Sequence, residues 1–247
     1  MALLDKPRSV CALLVEVVRA PRVTIDLMCE GAAANDPFFD RITREFYQEA
    51  REPHRRFLVV PQFAYGYAVG LLPPGGVKGY LATVEASARR NVKKAIRSGY
   101  RFSRFDYNAH LPDVTEILRS AEVRQGRPMP EEVFLDEAEP HTNPPSRCPL
   151  HDYPYFGVFR GEQLVAYASC LVAGELCDIQ SIYGHADFQP DGVVPLLIAS
   201  IAGSMAEDHP AVKYYSYGTY FGATKTMQRF KRKFSFQPHR VTWKLGA

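Results

Sequence analysis

The chain has 247 residues, 46% of them hydrophobic, with 30 Lys and Arg against 27 Asp and Glu. This length suits one large domain or two small ones and supplies ample apolar residues for a core. The net charge of +3 is unevenly distributed, because residues 209–247 hold eight basic residues and no acidic one. Residues 1–208 therefore carry 22 basic against 27 acidic residues. We expect the C-terminal segment to attract anions.

The cysteines and the first apolar segment indicate where the protein resides. The five cysteines are odd in number, form no C-x-x-C pair and lie mostly in apolar runs, which is typical of buried free thiols in a reducing cytoplasm. Residues 10–18 are too short to cross a membrane and are interrupted by Glu16. We expect a soluble, unprocessed, cytoplasmic protein with no membrane span.

The first 72 residues contain five apolar segments, and the first two of them carry no chemistry. Residues 10–18 read as a strand or short helix and residues 23–27 as a second apolar piece. Residues 38–50 place apolar side chains at helical spacing after the Asp36-Pro37 start signal, which predicts a helix. Residues 57–60 and 63–72 read as strands. The second strand ends at a Pro-Pro-Gly-Gly break at residues 73–76.

A basic helix is predicted over residues 84–98, with Gly99 as its C-cap and a strand at residues 100–105. Its inward positions are Val84, Ala88, Val92, Ala95 and Ile96. Seven basic residues lie between positions 89 and 104 with no acidic residue among them. Two interpretations stay open: a solvated helix face, stabilised where it nears the helix C-terminus, or an anion-binding surface.

Apolar spacing predicts another helix over residues 111–123, followed by a polar turn. In that turn Glu122 is a candidate base for an amine, and Arg124 and Arg127 are candidates for holding an acidic substrate. An exposed helix end with no function explains the same three residues. Residues 128–154, with seven prolines, form a long irregular loop. The His, Cys and Asp residues of this loop fit no familiar zinc spacing, so we expect no metal.

The remaining pattern is hairpin, strand, loop, helix, strand, basic helix, strand. The hairpin pairs residues 155–159 with 164–172, and a third strand covers residues 176–183. Asp191 is the predicted N-cap of a helix over residues 193–206, and a strand follows at residues 212–217. Met227, Phe230 and Phe234 then define the buried face of a short basic helix. Residues 239–243 alternate as a final strand.

The closing stretch RFKRKFSFQPHRVTW, preceded by VKYYSYGTY, resembles the end of the GNAT superfamily of acyltransferases and most of all its FemAB-like branch. The match covers Phe230, Lys231 and Phe236, with Ser235 where that branch usually has Gly. The resemblance implies an α/β (α+β) acyl-CoA N-acyltransferase fold, with a mixed, mostly antiparallel sheet flanked by helices. The strands at residues 176–183 and 212–217 should splay apart within that sheet. Residues 1–79 would form an N-terminal extension packed on a domain of residues 80–247.

The resemblance also implies a function and a set of site residues. The chain would transfer an acyl group from an activated, anionic carrier, with acyl-CoA expected, to an amine of a small molecule or peptide. Lys231 would stabilise charge at the acyl group, and Tyr217 and Tyr220 would donate to the oxyanion or the leaving thiolate. The loop and helix that bind the coenzyme A pyrophosphate in this fold correspond to Gly184, His185, Gly192 and Val193. The usual Gln/Arg-x-x-Gly-x-Gly/Ala signature is absent there.

Two alternatives remain at this point. In a FemAB-like aminoacyltransferase the donor would be an aminoacyl-tRNA, and the two basic helices would track its phosphate backbone. In the other alternative the chain is a non-catalytic, GNAT-shaped binding module. Two features favour this second alternative. The Gln/Arg-x-x-Gly-x-Gly/Ala signature is missing, and Lys231 stands where ordinary acetyltransferases often have a Tyr that acts as the acid.

Overall fold

A computed structural model describes residues 16–33, 36–54, 57–124 and 127–246. The helices are α1 Glu30–Ala33, α2 Pro37–Arg51, α3 Gly76–Thr83, α4 Ala86–Arg97, α5 Leu111–Arg119, α6 Glu132–Leu135, α7 Val193–Asp208 and α8 Lys225–Lys233. The strands of the early part are β1 Arg22–Asp26, β2 Pro53–His54, β3 Phe57–Pro61, β4 Tyr65–Leu71 and β5 Arg101–Arg104. The later strands are β6 Val123–Arg124, β7 Arg127–Pro128, β8 His151–Asp152, β9 Tyr155–Arg160, β10 Gln163–Ala173, β11 Leu176–Gly184, β12 Tyr214–Thr219 and β13 Gln237–Lys244.

Nine strands form one mixed sheet in the order β1-β13-β4-β12-β11-β10-β9-β5, with β8 beside β10. Only the β1–β13 and β11–β12 pairs are parallel. The long hairpin of β10 and β11 forms the centre of this sheet. The predicted fold class, a mostly antiparallel mixed sheet flanked by helices, is confirmed.

Helices cover both faces of the sheet, so the central strand β10 is buried on both sides. Ala168, Cys170 and Val172 face a core that includes side chains of α3, α4 and α7. Tyr167 and Leu171 point to the opposite face, where α5 and α2 pack. An almost continuously apolar strand is what such two-sided burial requires. None of the described helices combines the length and the apolar character needed to cross a bilayer.

The segment before residue 80 contributes two strands to this sheet. β4 lies between β12 and β13, and β1 pairs with β13 at its outer side. The Trp243 ring of β13 packs edge-on against Phe46 at 5.3 Å and against Tyr67 at 5.4 Å, measured between ring centroids. The two segments that the sequence divides at residue 80 therefore share one sheet and one core cluster.

Most of the predicted elements are confirmed, with shifts of a few residues at their ends. The predicted helix over residues 111–123 ends at Arg119, since β6 begins at Val123. The apolar spacing predicts that Ile96 lies on the inward face of α4, but the residue is 56% exposed. The predicted segment at residues 10–18 lies largely outside the described residues.

The predicted N-cap of α7 is wrong. Gly192, with φ of +86°, occupies that position and makes no side-chain cap. A Cβ on this residue would lie 2.5 Å from the carbonyl oxygen of Asn91 in α4, so the close approach of the two helices requires glycine. The Asp191 carboxylate instead accepts a hydrogen bond from the Tyr100 hydroxyl at 2.9 Å and pairs with Lys94 at 3.0 Å.

Candidate active site

A cleft opens where β11 and β12 separate. The two strands pair only from Leu176 to Asp178 on β11 and from Tyr214 to Ser216 on β12. Beyond that point a cleft of about 270 Å³ lies between them. Its walls are Arg127, Ile179, Gln180, Ser181, Ile182, Tyr183, Tyr217, Gly218, Thr219, Gly222, Ala223, Thr224, Met227 and Lys231. The predicted splay of the two strands is confirmed.

The separation has a local cause in β12. The register of β12 against β4 shifts between Ser216 and Thr219, and Gly218 within the shift has φ of +54°. Such an irregularity bends a strand and increases its twist. Because β11 has no partner on this side after Asp178, five consecutive residues, Ile179 to Tyr183, line the cleft.

Lys231 brings a buried ammonium to this cleft. Helix α8 begins at a Thr224 cap, whose hydroxyl accepts from the Met227 amide. The Lys231 side chain is 5% exposed, and its Nζ donates to the backbone carbonyls of Tyr217 and Thr219, the latter at 2.7 Å. Nζ also lies 4.7 Å from the centroid of the Tyr217 ring. Burial lowers the pKa of Lys231 to about 8, and the Asp178 carboxylate opposes that shift.

Asp178 lies at the point of separation and is 3% exposed. Its carboxylate accepts hydrogen bonds from the Tyr67 hydroxyl at 2.6 Å, from the Ser216 hydroxyl, and from the Gln180 side-chain amide at 2.6 Å. Burial raises the pKa of Asp178 to about 6, against the opposing effect of the Ser216 and Tyr67 hydrogen bonds and of Lys231. The one signal for it in the sequence is an acidic residue inside the apolar run of a central strand.

The predicted catalytic residues divide into two groups. Lys231 and Tyr217 line the cleft. Tyr220 is not among the cleft walls; its ring packs against Phe221 and its backbone amide donates to the carbonyl of Gly66. Glu122 is exposed and also lies outside the cleft walls. Their roles stay predictions, and the geometry favours the first pair.

The two arginines predicted to bind substrate also separate. Arg127 is exposed and lines the cleft. The Arg124 guanidinium is held by the carbonyls of Gly184 and Ile117 and by the Ser120 hydroxyl, and it lies 5.6 Å from the Tyr183 ring centroid. Burial lowers the pKa of Arg124. Its hydrogen bonds tie β6 to α5 and β11, so Arg127 is the better placed of the two for a ligand.

The residues predicted to bind a coenzyme A pyrophosphate lie outside the cleft walls. Gly184, Gly192 and Val193 are buried, and His185 is half-buried. The Gly192 amide already donates to the carbonyl of Gln189, and Asp191 adds a carboxylate beside the helix end. The Lys94 ammonium pairs with this carboxylate and offsets its charge. The assignment of these four residues to a cofactor stays a prediction.

Comparison with known proteins identifies the fold. No family model matches the sequence, and no curated protein matches it. The solved structure of FemX superposes with a TM-score of 0.53 over 84% of this chain and 67% of its own, at 10% identity. The chain has a GNAT-type fold. At this identity, FemX shows the fold alone.

Two further structures are similar over 70% of this chain. One is the C-terminal DUF2156 domain of a candidate lysylphosphatidylglycerol synthetase from Agrobacterium fabrum, with a TM-score of 0.46 and 16% identity. The other is a GCN5-related N-acetyltransferase-like protein from Streptococcus suis, with a TM-score of 0.38 and 16% identity. This chain spans 57% and 56% of their lengths, respectively.

Among the described residues, no group of three His, Cys, Asp or Glu side chains is placed to hold a metal ion. The four described cysteines are free and buried. The chemistry available in the cleft is thus a buried ammonium, an exposed guanidinium, and the hydroxyl and amide groups of β11 and β12.

Proposed function

We propose that this protein is an acyltransferase that moves an acyl group from an activated carrier to an amine. The observation that carries the proposal is the buried Lys231 ammonium in the cleft between β11 and β12. Two backbone carbonyls hold that ammonium in place. An ordered positive donor in a partly dry site stabilises the oxyanion that forms when an amine attacks a carbonyl.

The reaction forms a bond between the amine nitrogen and the carbonyl carbon. The bond from that carbon to the carrier's sulfur or oxygen then breaks with its electron pair. The amine loses one proton, which the departing carrier or water accepts. No carboxylate or imidazole is found among the cleft walls formed by described residues, so the proposal has the amine enter in its neutral form.

The positive charge at the cleft favours an anionic carrier, for which two classes compete. Acyl-CoA carries its charge on phosphates next to a thioester. An aminoacyl-tRNA carries an extended phosphate backbone, and the exposed stripe of Arg90, Lys93 and Arg97 on α4, which borders a shallow concave surface, favours this second class. The proposal places the reaction in the cytoplasm, in keeping with the free thiols.

Ligand-dependent stabilisation tests the proposal, because a ligand that binds the folded state raises the melting temperature. Purified protein is heated alone, with acetyl-CoA, with longer acyl-CoAs and with charged tRNA. Each carrier that stabilises the protein is then incubated with a set of primary amines, and the products are measured by mass spectrometry. Transfer by the wild type and not by Lys231→Ala supports the proposal. Stabilisation without transfer from any carrier supports the binding module instead.

A further inference from the structure

The Gln180 side chain lines the cleft and is hydrogen-bonded to Asp178. The two residues lie two positions apart on β11, where the pairing with β10 shifts register beside Gln180, and a direct hydrogen bond joins their side chains. The Gln180 Nε2 donates to Oδ2 of Asp178 at 2.6 Å. The other carboxylate oxygen, Oδ1, accepts from the hydroxyls of Tyr67 and Ser216. The carboxylate is therefore fixed on one side by two hydroxyls and faces Gln180 on the other.

The Asp178 carboxylate also decides which end of the Gln180 amide faces it. An ionised carboxylate has no hydrogen to donate, so it can bind only the NH₂ end of an amide. The amide oxygen is thereby left for another partner, and within the described parts of the chain no donor contacts it. Because Gln180 is exposed and lines the cleft, that oxygen is a hydrogen-bond acceptor available to a ligand.

An acceptor of this kind complements the charged groups of the cleft walls. The charged groups of its walls, Lys231 and Arg127, are donors only. An attacking amine has N–H groups that need an acceptor, while its lone pair points at the acyl carbon. A neutral amide oxygen orients such a nitrogen without protonating it.

We propose that Asp178 is a positioning residue that fixes the Gln180 amide, and that the Gln180 oxygen binds the N–H of the acceptor amine. This inference rests on the proposed acyl transfer to an amine. It adds the residue that recognises the acceptor and the buried group that sets the direction of its hydrogen bond.

The variant Asp178→Asn tests the positioning of Gln180 while keeping the hydrogen bonds that hold residue 178 in the fold. Its carbonyl oxygen still accepts from Tyr67 and Ser216, but its NH₂ group now faces Gln180. The Gln180 amide is expected to turn over, giving its oxygen to Asn and presenting its NH₂ to the cleft. The acceptor site then becomes a donor site, with little change in shape.

Side-chain amide NMR tests the contact without any substrate. The Gln180 resonances are assigned by their loss in Gln180→Leu. In the wild type the Gln180 amide shifts should titrate near pH 6, with the ionisation of Asp178, and the titration should vanish in Asp178→Asn. Asp187→Asn is the matched control, since that carboxylate is 83% exposed and is not among the cleft walls. If the chemical shifts of the Gln180 amide change neither with pH nor in Asp178→Asn, the positioning role of Asp178 is overturned.

Kinetics with the donor and primary amine found by the transfer assay tests the recognition. Asp178→Asn and Gln180→Leu should each raise KM for the amine tenfold or more while kcat stays within about threefold. The double variant should match Gln180→Leu alone, because Asp178 acts through Gln180. Additive effects, or an unchanged KM, overturn the inference and leave acyl transfer standing. Absence of transfer from any carrier overturns the proposed function, and the NMR titration still decides whether Asp178 holds Gln180.

Discussion

The Ser216 hydroxyl donates to the Asp178 carboxylate at the last position where β11 and β12 are paired. This bond joins the two strands through their side chains at the place where their backbones separate. The candidate active site thus begins directly beyond the buried contact between Ser216 and Asp178. Lys231 and Gln180 both line the cleft that opens there.

Replacement of Lys231 should reduce transfer without unfolding the protein. Lys231→Ala removes the ammonium from the cleft, and loss of one oxyanion donor typically costs about a hundredfold or more in turnover. Lys233→Ala is the matched control, since it lies on the same helix, is not among the cleft walls and points about 200° away. Turnover numbers and circular dichroism of both variants check the prediction. Equal activity of the two would remove Lys231 from the mechanism.

The rate should fall as the pH rises through about 8, where Lys231 loses its proton. Burial lowers this pKa, so the charged, active form exists below about pH 8 and not above it. Lys231→Arg keeps its charge at every pH tested, because the guanidinium pKa exceeds 12. The ratio of wild-type to Lys231→Arg rates from pH 6.5 to 9.5 isolates the lysine, since the amine substrate ionises equally in both reactions. A flat ratio would contradict the prediction.

Stability should also depend on pH through Asp178. Its pKa is raised from 3.8 to about 6 in the folded protein, so between these values the folded state binds more protons than the unfolded state. Raising the pH through this window therefore lowers the free energy of unfolding, by on the order of 2–3 kcal/mol. Urea unfolding at pH 4 and pH 7 should show this loss in the wild type and not in Asp178→Asn. An equal pH dependence in both proteins would show that the carboxyl is not perturbed.

Gly192→Ala should destabilise the protein by roughly 2–4 kcal/mol, because it combines a left-handed backbone with a clash against Asn91. Gly161→Ala provides the control. That glycine also has a positive φ, of +62°, but nothing lies within 4 Å of the added Cβ. It should cost only about 1 kcal/mol. Urea midpoints of the two variants measure the difference, and equal losses would show that the helix contact tolerates a side chain.

Reversing a charge on α4 should show which carrier the protein binds. If the carrier is a charged tRNA, Lys93→Glu should weaken its binding several-fold and reduce the salt dependence. Lys78→Glu on α3 makes the same change at an exposed position outside the basic concave surface. Binding of acyl-CoA and tRNA, measured from 50 to 300 mM salt, distinguishes the carriers. Unchanged tRNA binding in Lys93→Glu would leave α4 as a solvated helix face.

Local patterns predict much of the fold but only part of the candidate site. The hairpin of β10 and β11, helix α7 and the basic helix α8 each follow from their own periodicity. The place of Lys231 follows from the resemblance of its neighbours to a known family. The insertion of β4 between β12 and β13 depends on pairing between distant segments, which no local pattern encodes.

The remaining site residues escape prediction for a related reason. In the sequence Arg124 is a candidate for binding substrate. Only the folded chain shows that its guanidinium already donates to the carbonyls of Gly184 and Ile117. The Asp178 carboxylate is held by a hydrogen bond from Tyr67, which lies 111 positions earlier in the chain. Contacts of that kind are set by tertiary structure, so sequence spacing carries no sign of them.

The pairing of β1 and β4 with β13 also constrains how the protein is made. Residues 22–26 find their strand partner only when residues 240–244 have been synthesised. Until then, one edge of β4 has no strand partner in the nascent chain, and such an edge is prone to pair with other chains. Folding dominated by such distant contacts is slow. We therefore expect the sheet to close only after the ribosome releases β13, and a chain shortened before residue 237 to aggregate during expression.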